Sequence, residues 1–256
     1  MELWSPEHMK TLLPAVAVMI VIGVVLRRII GKKSLAVRML PLRIIAVALV
    51  VLEIGKQLTS ALNGYDLYML PFHFCSLALF VLPLAAFYKG KYAYTVRNIC
   101  TVVCAAISLL LMIYPCLIYS SENIIGYFDG YLNFHTVTFH NLVIFAFILI
   151  LALDLHTPGR RKSIKPLVLF ILGFCVVSAS MAMLLKTNYA NYYHCNIPPL
   201  EAVRLSMQGV LGVWVTQLLY ISIVSALNVL FVLLSYWVYR QLHRLVVGKA
   251  AVAVKE

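Results

Sequence analysis

Two short stretches put ionisable and nucleophilic side chains among apolar neighbours. LEIGKQL carries Glu53 and Lys56, three positions apart. On a helix this spacing sets both side chains on one face, close enough to pair. Gly55 between them leaves room for a neighbouring helix or a ligand. LPFHFCSL carries His73 and Cys75, just after Pro71. Residues two apart on a helix point about 200° apart, so this imidazole and thiol share one small site only if the helix is distorted. Pro71 falls at the helix entrance, where proline is tolerated without disturbing the turns after it. If Cys75 is a nucleophile, its base has to come from another helix, and His140 in TVTFHNLVIF is the candidate. If His73 is the active group, Cys75 is a packing residue. Buried Glu, Lys and His are also what a proton relay needs.

The elements that must hold these residues are transmembrane helices. The chain has 256 residues, 63% of them hydrophobic and only 12% charged, whereas a soluble domain is about one quarter charged. Seven apolar stretches reach the length of a bilayer-crossing helix, at about 11–28, 39–62, 68–88, 93–118, 134–153, 166–186 and 210–238. The expectation is an all-α, polytopic seven-helix bundle forming a single domain over 1–256. The connections leave no room for a separate soluble domain, and no internal repeat is evident.

The formal charge of +12 follows the same layout. One side of the expected membrane collects Arg27, Arg28, Lys32, Lys33, Arg38 and Arg43, then Lys89, Lys91 and Arg97. Arg160, Arg161, Lys162 and Lys165 join them, with Arg240, Arg244, Lys249 and Lys255 in the tail. The other side has Lys10, Lys186 and Arg204 but the acidic Glu2, Glu7, Asp66, Glu122, Asp129 and Glu201. The positive-inside rule then puts the N-terminus outside and the C-terminus in the cytoplasm. The basic surplus needs no nucleic-acid partner. Arg27–Arg28 follows the first apolar run and the flank before it is mildly acidic, the reverse of a signal peptide, so that run reads as a retained helix.

Cys75, Cys100, Cys104 and Cys175 fall inside the expected spans as small packing residues, Cys100 and Cys104 on one helix face. Cys116 and Cys195 lie at the outer surface, where an oxidising compartment would allow them to pair. No cysteine–histidine spacing suggests a metal site, and no cofactor is expected.

The orientation also gives depths. Glu53 lies roughly 13 Å below the outer end of its span, Lys56 roughly 9 Å, and His73 and Cys75 roughly 8–10 Å. His140 and Asn141 reach a similar depth, as does Gln217, which follows Trp214 in the last span. Four helices thus contribute polar groups to one outer layer, which implies a cavity between spans two, three, five and seven. The segment TNYANYYHCNIPP, with Asn188 and Tyr189, reads either as an interfacial aromatic belt or as a lid over that cavity. Asn141, Gln217, Trp214, Asn188 and Tyr189 are the expected substrate-side residues.

LEIGKQL, LPFHFCSL, FHNLVIF and TNYANYYHCNIPP leading to GVWVTQLLYI together resemble the YwaF-like bacterial integral membrane proteins. The resemblance runs over spans two to seven. That family looks related to eukaryotic transmembrane proteins that move acyl chains between phospholipids through a membrane-embedded cysteine. The resemblance implies Cys75 as the acyl-accepting nucleophile, with Glu53, Lys56 and His140 completing the site. In the eukaryotic branch the cysteine directly precedes the histidine; here the order is His-Phe-Cys, which keeps His73 in play. The implied activity is lipid acyl transfer in the outer leaflet of a bacterial plasma membrane, with a phospholipid or lysophospholipid as partner. A transporter or a non-catalytic ligand-binding bundle is the alternative.

Overall fold

The computed structural model describes residues 3–159 and 163–248. Glu2, Arg160, Arg161, Lys162, Lys249 and Lys255, which entered the charge pattern, lie outside the described residues. Among the described residues the regular structure is helical: α1 (Pro6–Ile30), α2 (Leu35–Arg38), α3 (Leu40–Leu62), α4 (Leu77–Phe87) and α5 (Ala93–Ile113). Then come α6 (Ser121–Ile125), α7 (Tyr131–Ala152), α8 (Ile164–Leu185), α9 (Pro198–Leu211) and α10 (Val213–Val247).

Local chemistry sets several of these boundaries. Ser5 caps α1 by accepting from the His8 amide, and Pro6 occupies the first turn, where an N–H has no partner to lose. Lys186 in the left-handed region closes α8, and Gly212 at φ 79° separates α9 from α10.

Among the described residues, six helical segments are long and apolar enough to cross a membrane: α1, α2 with α3 as Leu35–Leu62, α5, α7, α8 and α10. α5 and α7 form the centre. α7 packs on α1, α3 and α5, and α5 packs also on α4 and α10. Small residues on α5, Cys100, Cys104 and Ala106, are fully buried and let the neighbouring helices approach. α1 and α10 instead expose apolar side chains such as Val21, Leu227 and Trp237, the surface a helix offers to lipid.

The basic end of the bundle is knitted by polar contacts. Arg38 donates to the carbonyls of Leu153 and Asp154 at 2.7 and 3.1 Å. His243, fully buried, meets Asp154 at 3.0 Å, and His156 meets the Asn98 side chain at 3.2 Å. Tyr239 donates to the His156 carbonyl at 2.5 Å.

The stretch expected to be one helix over 68–88 departs most from its expectation. A single 3₁₀ turn at Leu67–Met69 is followed by extended backbone at Leu70 and His73. A second 3₁₀ turn at Phe74–Ser76 then leads into α4, so the helical part is only Phe74–Phe87. Pro71 explains the first half of the break: its ring steers Leu70 to an extended conformation and it carries no N–H. The rest is held from outside the segment, by bonds to its carbonyls.

Candidate functional site

In a lipid environment a non-helical segment is tolerated only where other groups satisfy its backbone. Here four side chains do so. Gln57 on α3 donates to the Met69 carbonyl at 2.9 Å, and Ser178 on α8 donates to the Phe72 carbonyl at 2.8 Å. Tyr189, fully buried, donates its hydroxyl to the Leu67 carbonyl, and His73 Nε2 lies 3.1 Å from the Tyr68 carbonyl. The His73 ring is flanked by Tyr68 and Tyr189, with centroids 4.4 and 5.4 Å away. The break is a built feature, tied to α3, to α8 and to the segment after α8.

It also changes the relation between His73 and Cys75. His73 is in the extended region and Cys75 in the following 3₁₀ turn, so the helical-wheel separation does not apply. Cys75 is a half-buried free thiol at the entrance to a helix, beside the backbone amides of its own residue and Ser76. The charges of Lys56 and Glu53 both act on it.

Glu53 is the hub on α3. Its Oε1 receives Lys56 Nζ at 2.7 Å and Gln57 Nε2 at 2.7 Å. Its Oε2 lies 3.4 Å from His135 Nε2, an electrostatic contact without the alignment of a hydrogen bond. The space beside Gly55 is taken by a helix: Tyr131 of α7 donates to the Leu52 carbonyl at 3.0 Å, and a Cβ at position 55 would collide with its ring.

His140 lies about two and a half turns beyond Tyr131 along α7, buried at 6% exposure. Its Nδ1 is 2.6 Å from the Thr136 carbonyl, which can only accept, so Nδ1 carries the proton and Nε2 keeps its lone pair. That Nε2 is buried and has no hydrogen-bond partner, and the same holds for Oδ1 of the next residue, Asn141. His140 is within electrostatic reach of His135, Lys56 and His73. Among the described residues, no group of three or more His, Cys, Asp or Glu is arranged to hold a metal ion.

Lys56 thus acts electrostatically on both Cys75 and His140, Glu53 on Cys75 and His73 on His140, while Tyr189 packs against His73. The other expected substrate-side residues have different surroundings. Gln217 is consumed by the loop above: it donates to the Tyr192 carbonyl at 2.8 Å and accepts from Arg204 at 2.9 Å. Arg204 also pairs with Glu201 at 2.5 Å, which holds the Glu201 carboxyl below its ordinary range. Asn188 folds its own loop by accepting from the amides of Tyr193 and His194. Trp214 faces outward at 76% exposure, as an interfacial anchor does.

Three contributors were not singled out from sequence. Gln57 follows Lys56 directly and stands four residues after Glu53, a spacing that would have flagged it. His135 fell at the expected start of its span, outside the polar layer considered there. Ser178 carried no signal, because a serine in a membrane helix usually bonds its own backbone.

A bundle whose helices are apolar outside and centred on buried α5 and α7, with ion-paired groups at a broken segment, is a multi-pass helical membrane protein. The chain belongs to the TMEM164 family, whose sequence model matches residues 3–238. No curated protein and no solved structure matches it.

Proposed function

We propose that this protein is a membrane-embedded acyl-transfer enzyme that works on phospholipids and lysophospholipids in the outer leaflet, with Cys75 as nucleophile and His140 as base. The observation that carries the reading is the imidazole of His140. Its Nδ1–H is fixed by the Thr136 carbonyl, leaving a buried, unpartnered Nε2 lone pair in the electrostatic field of Lys56 and His73. The resemblance of the surrounding motifs to the YwaF-like proteins and their acyl-moving relatives supports it.

The chemistry follows from these groups. His140 Nε2 takes the Cys75 thiol proton as the sulfur adds to a lipid ester carbonyl. Lys56, held by Glu53 at 2.7 Å, and the amides at the helix entrance stabilise the oxyanion. Collapse breaks the ester C–O bond, the leaving alkoxide recovers the proton from His140, and the acyl group stays on Cys75 as a thioester. A lysophospholipid hydroxyl, deprotonated by the same Nε2, then attacks the thioester and regenerates the thiol.

The bundle would sit in a bacterial plasma membrane as seven crossings, N-terminus outside, with Phe74–Phe87 and the extended residues before it as the third. The test is intact-protein mass spectrometry after incubation with phospholipid. Wild type should gain an acyl mass that hydroxylamine removes, and Cys75→Ala should gain none. An equal adduct on Cys75→Ala would exclude this nucleophile. The Glu53–Lys56–His135 contacts also suit a second reading, a proton-coupled carrier or lipid-binding bundle without catalysis. Bound lipid without any adduct on wild type would select it.

A further inference from the structure

Cys116 has an imidazole in direct contact. It lies in the 3₁₀ turn Pro115–Leu117 that follows α5, half-buried, with its Sγ 3.7 Å from Nδ1 of His8. His8 is fully buried in the first turn of α1. Its Nε2 is 3.1 Å from the Tyr119 carbonyl, which can only accept, so Nε2 holds the proton and Nδ1 is the basic nitrogen. The ring is kept in place by the stacked Tyr119 ring, 5.0 Å away. Nucleophile, base and a group that orients the base are therefore present together. Ser5 competes for the same lone pair, its Oγ lying 2.7 Å from Nδ1. Met9 and Leu117, next to the pair in sequence, are exposed and apolar, a surrounding an acyl chain can enter.

We propose that Cys116 and His8 form a second nucleophilic site, separate from Cys75, that accepts acyl groups from carboxylic esters. The Cys116 thiol proton moves to His8 Nδ1 as the S–C bond forms. The ester C–O bond breaks, and the proton passes from Nδ1 to the departing alkoxide, leaving a thioester and an alcohol. Tyr119 packs on His140 as well, with centroids 5.9 Å apart, so one aromatic ring separates the two imidazoles.

The full-length protein in detergent is incubated with p-nitrophenyl butyrate, and each cysteine is followed by peptide mass spectrometry. A hydroxylamine-labile butyryl group should appear on Cys116 at the same rate in wild type and Cys75→Ala, which separates this site from the one proposed above. His8→Gln should slow it by about 100-fold, the usual share of a positioned base. Ser5→Ala, which removes the competitor for Nδ1, should speed it, and decides the matter if His8→Gln does not fold. No adduct on Cys116 in wild type, an unchanged rate in His8→Gln, or an unchanged or slower rate in Ser5→Ala would overturn the proposal.

Discussion

Glu53 is the residue on which the cluster depends, because Lys56, Gln57 and His135 all direct positive or donor groups at one carboxylate. Taking one partner from a buried pair is far worse than taking both, since it strands a charge. Glu53→Gln should therefore lower stability by about 3–5 kcal/mol. Adding Lys56→Met should recover part of that loss by removing the stranded ammonium. Thermal unfolding in detergent checks both, and a double variant no more stable than Glu53→Gln would show that the pair is not what the site rests on. The pairing itself was legible, because an i, i+3 spacing on a helix leaves few alternatives. The third partner was not: the expected span begins at about 134, beside His135, whereas α7 begins at Tyr131, and hydropathy cannot say how far α7 extends before it leaves the bundle. The use of Gly55 was half legible. A close approach was foreseen, but the visitor is Tyr131 of the same protein.

The broken third segment shows how an element can be right in place and wrong in form. Hydropathy reports that residues 68–88 belong in an apolar medium, and it is blind to whether their backbone is helical. Pro71 alone was compatible with an intact helix start; the extended conformation persists to His73 because Gln57, Ser178 and Tyr189 supply donors to the carbonyls that a helix would otherwise have used. Those donors come from residues up to 122 positions away, so no local pattern announces them. Removing one leaves a buried carbonyl unpaired. Ser178→Ala should cost about 1–3 kcal/mol and Ser178→Thr, which keeps the hydroxyl, much less. Hydrogen exchange at residues 70–76 is the more telling readout. Faster exchange there in Ser178→Ala, with α5 and α7 unchanged, is the expected pattern; uniform loosening of the bundle would mean that Ser178 matters only for helix packing.

How the third segment crosses decides how the chain lies in the membrane. Among the described residues six helices are long enough on their own, and six crossings would return the C-terminus to the side of the N-terminus. Phe74–Phe87 rises only about 21 Å as a helix. The extended residues before it add about 10 Å at strand-like rise, and the sum matches the hydrocarbon core of about 30 Å. A broken segment of this length would span with fewer residues than a helix needs, and the proposed seven crossings would follow. The positive-inside rule would favour the same odd number. Arg27, Arg38, Arg43 and Arg97, placed before and after this segment, gather with Arg240 and Arg244 at one end only if 68–88 traverses the bilayer. Tags at the two termini, probed by protease on intact cells and on inverted vesicles, test this directly. The N-terminal tag should be cleaved from outside and the C-terminal tag only in inverted vesicles. Cleavage of both from one side would mean that the segment enters the membrane and returns. His73 and Cys75 would then face a re-entrant loop instead of the outer leaflet, and the acyl-transfer geometry would lose its access to lipid esters.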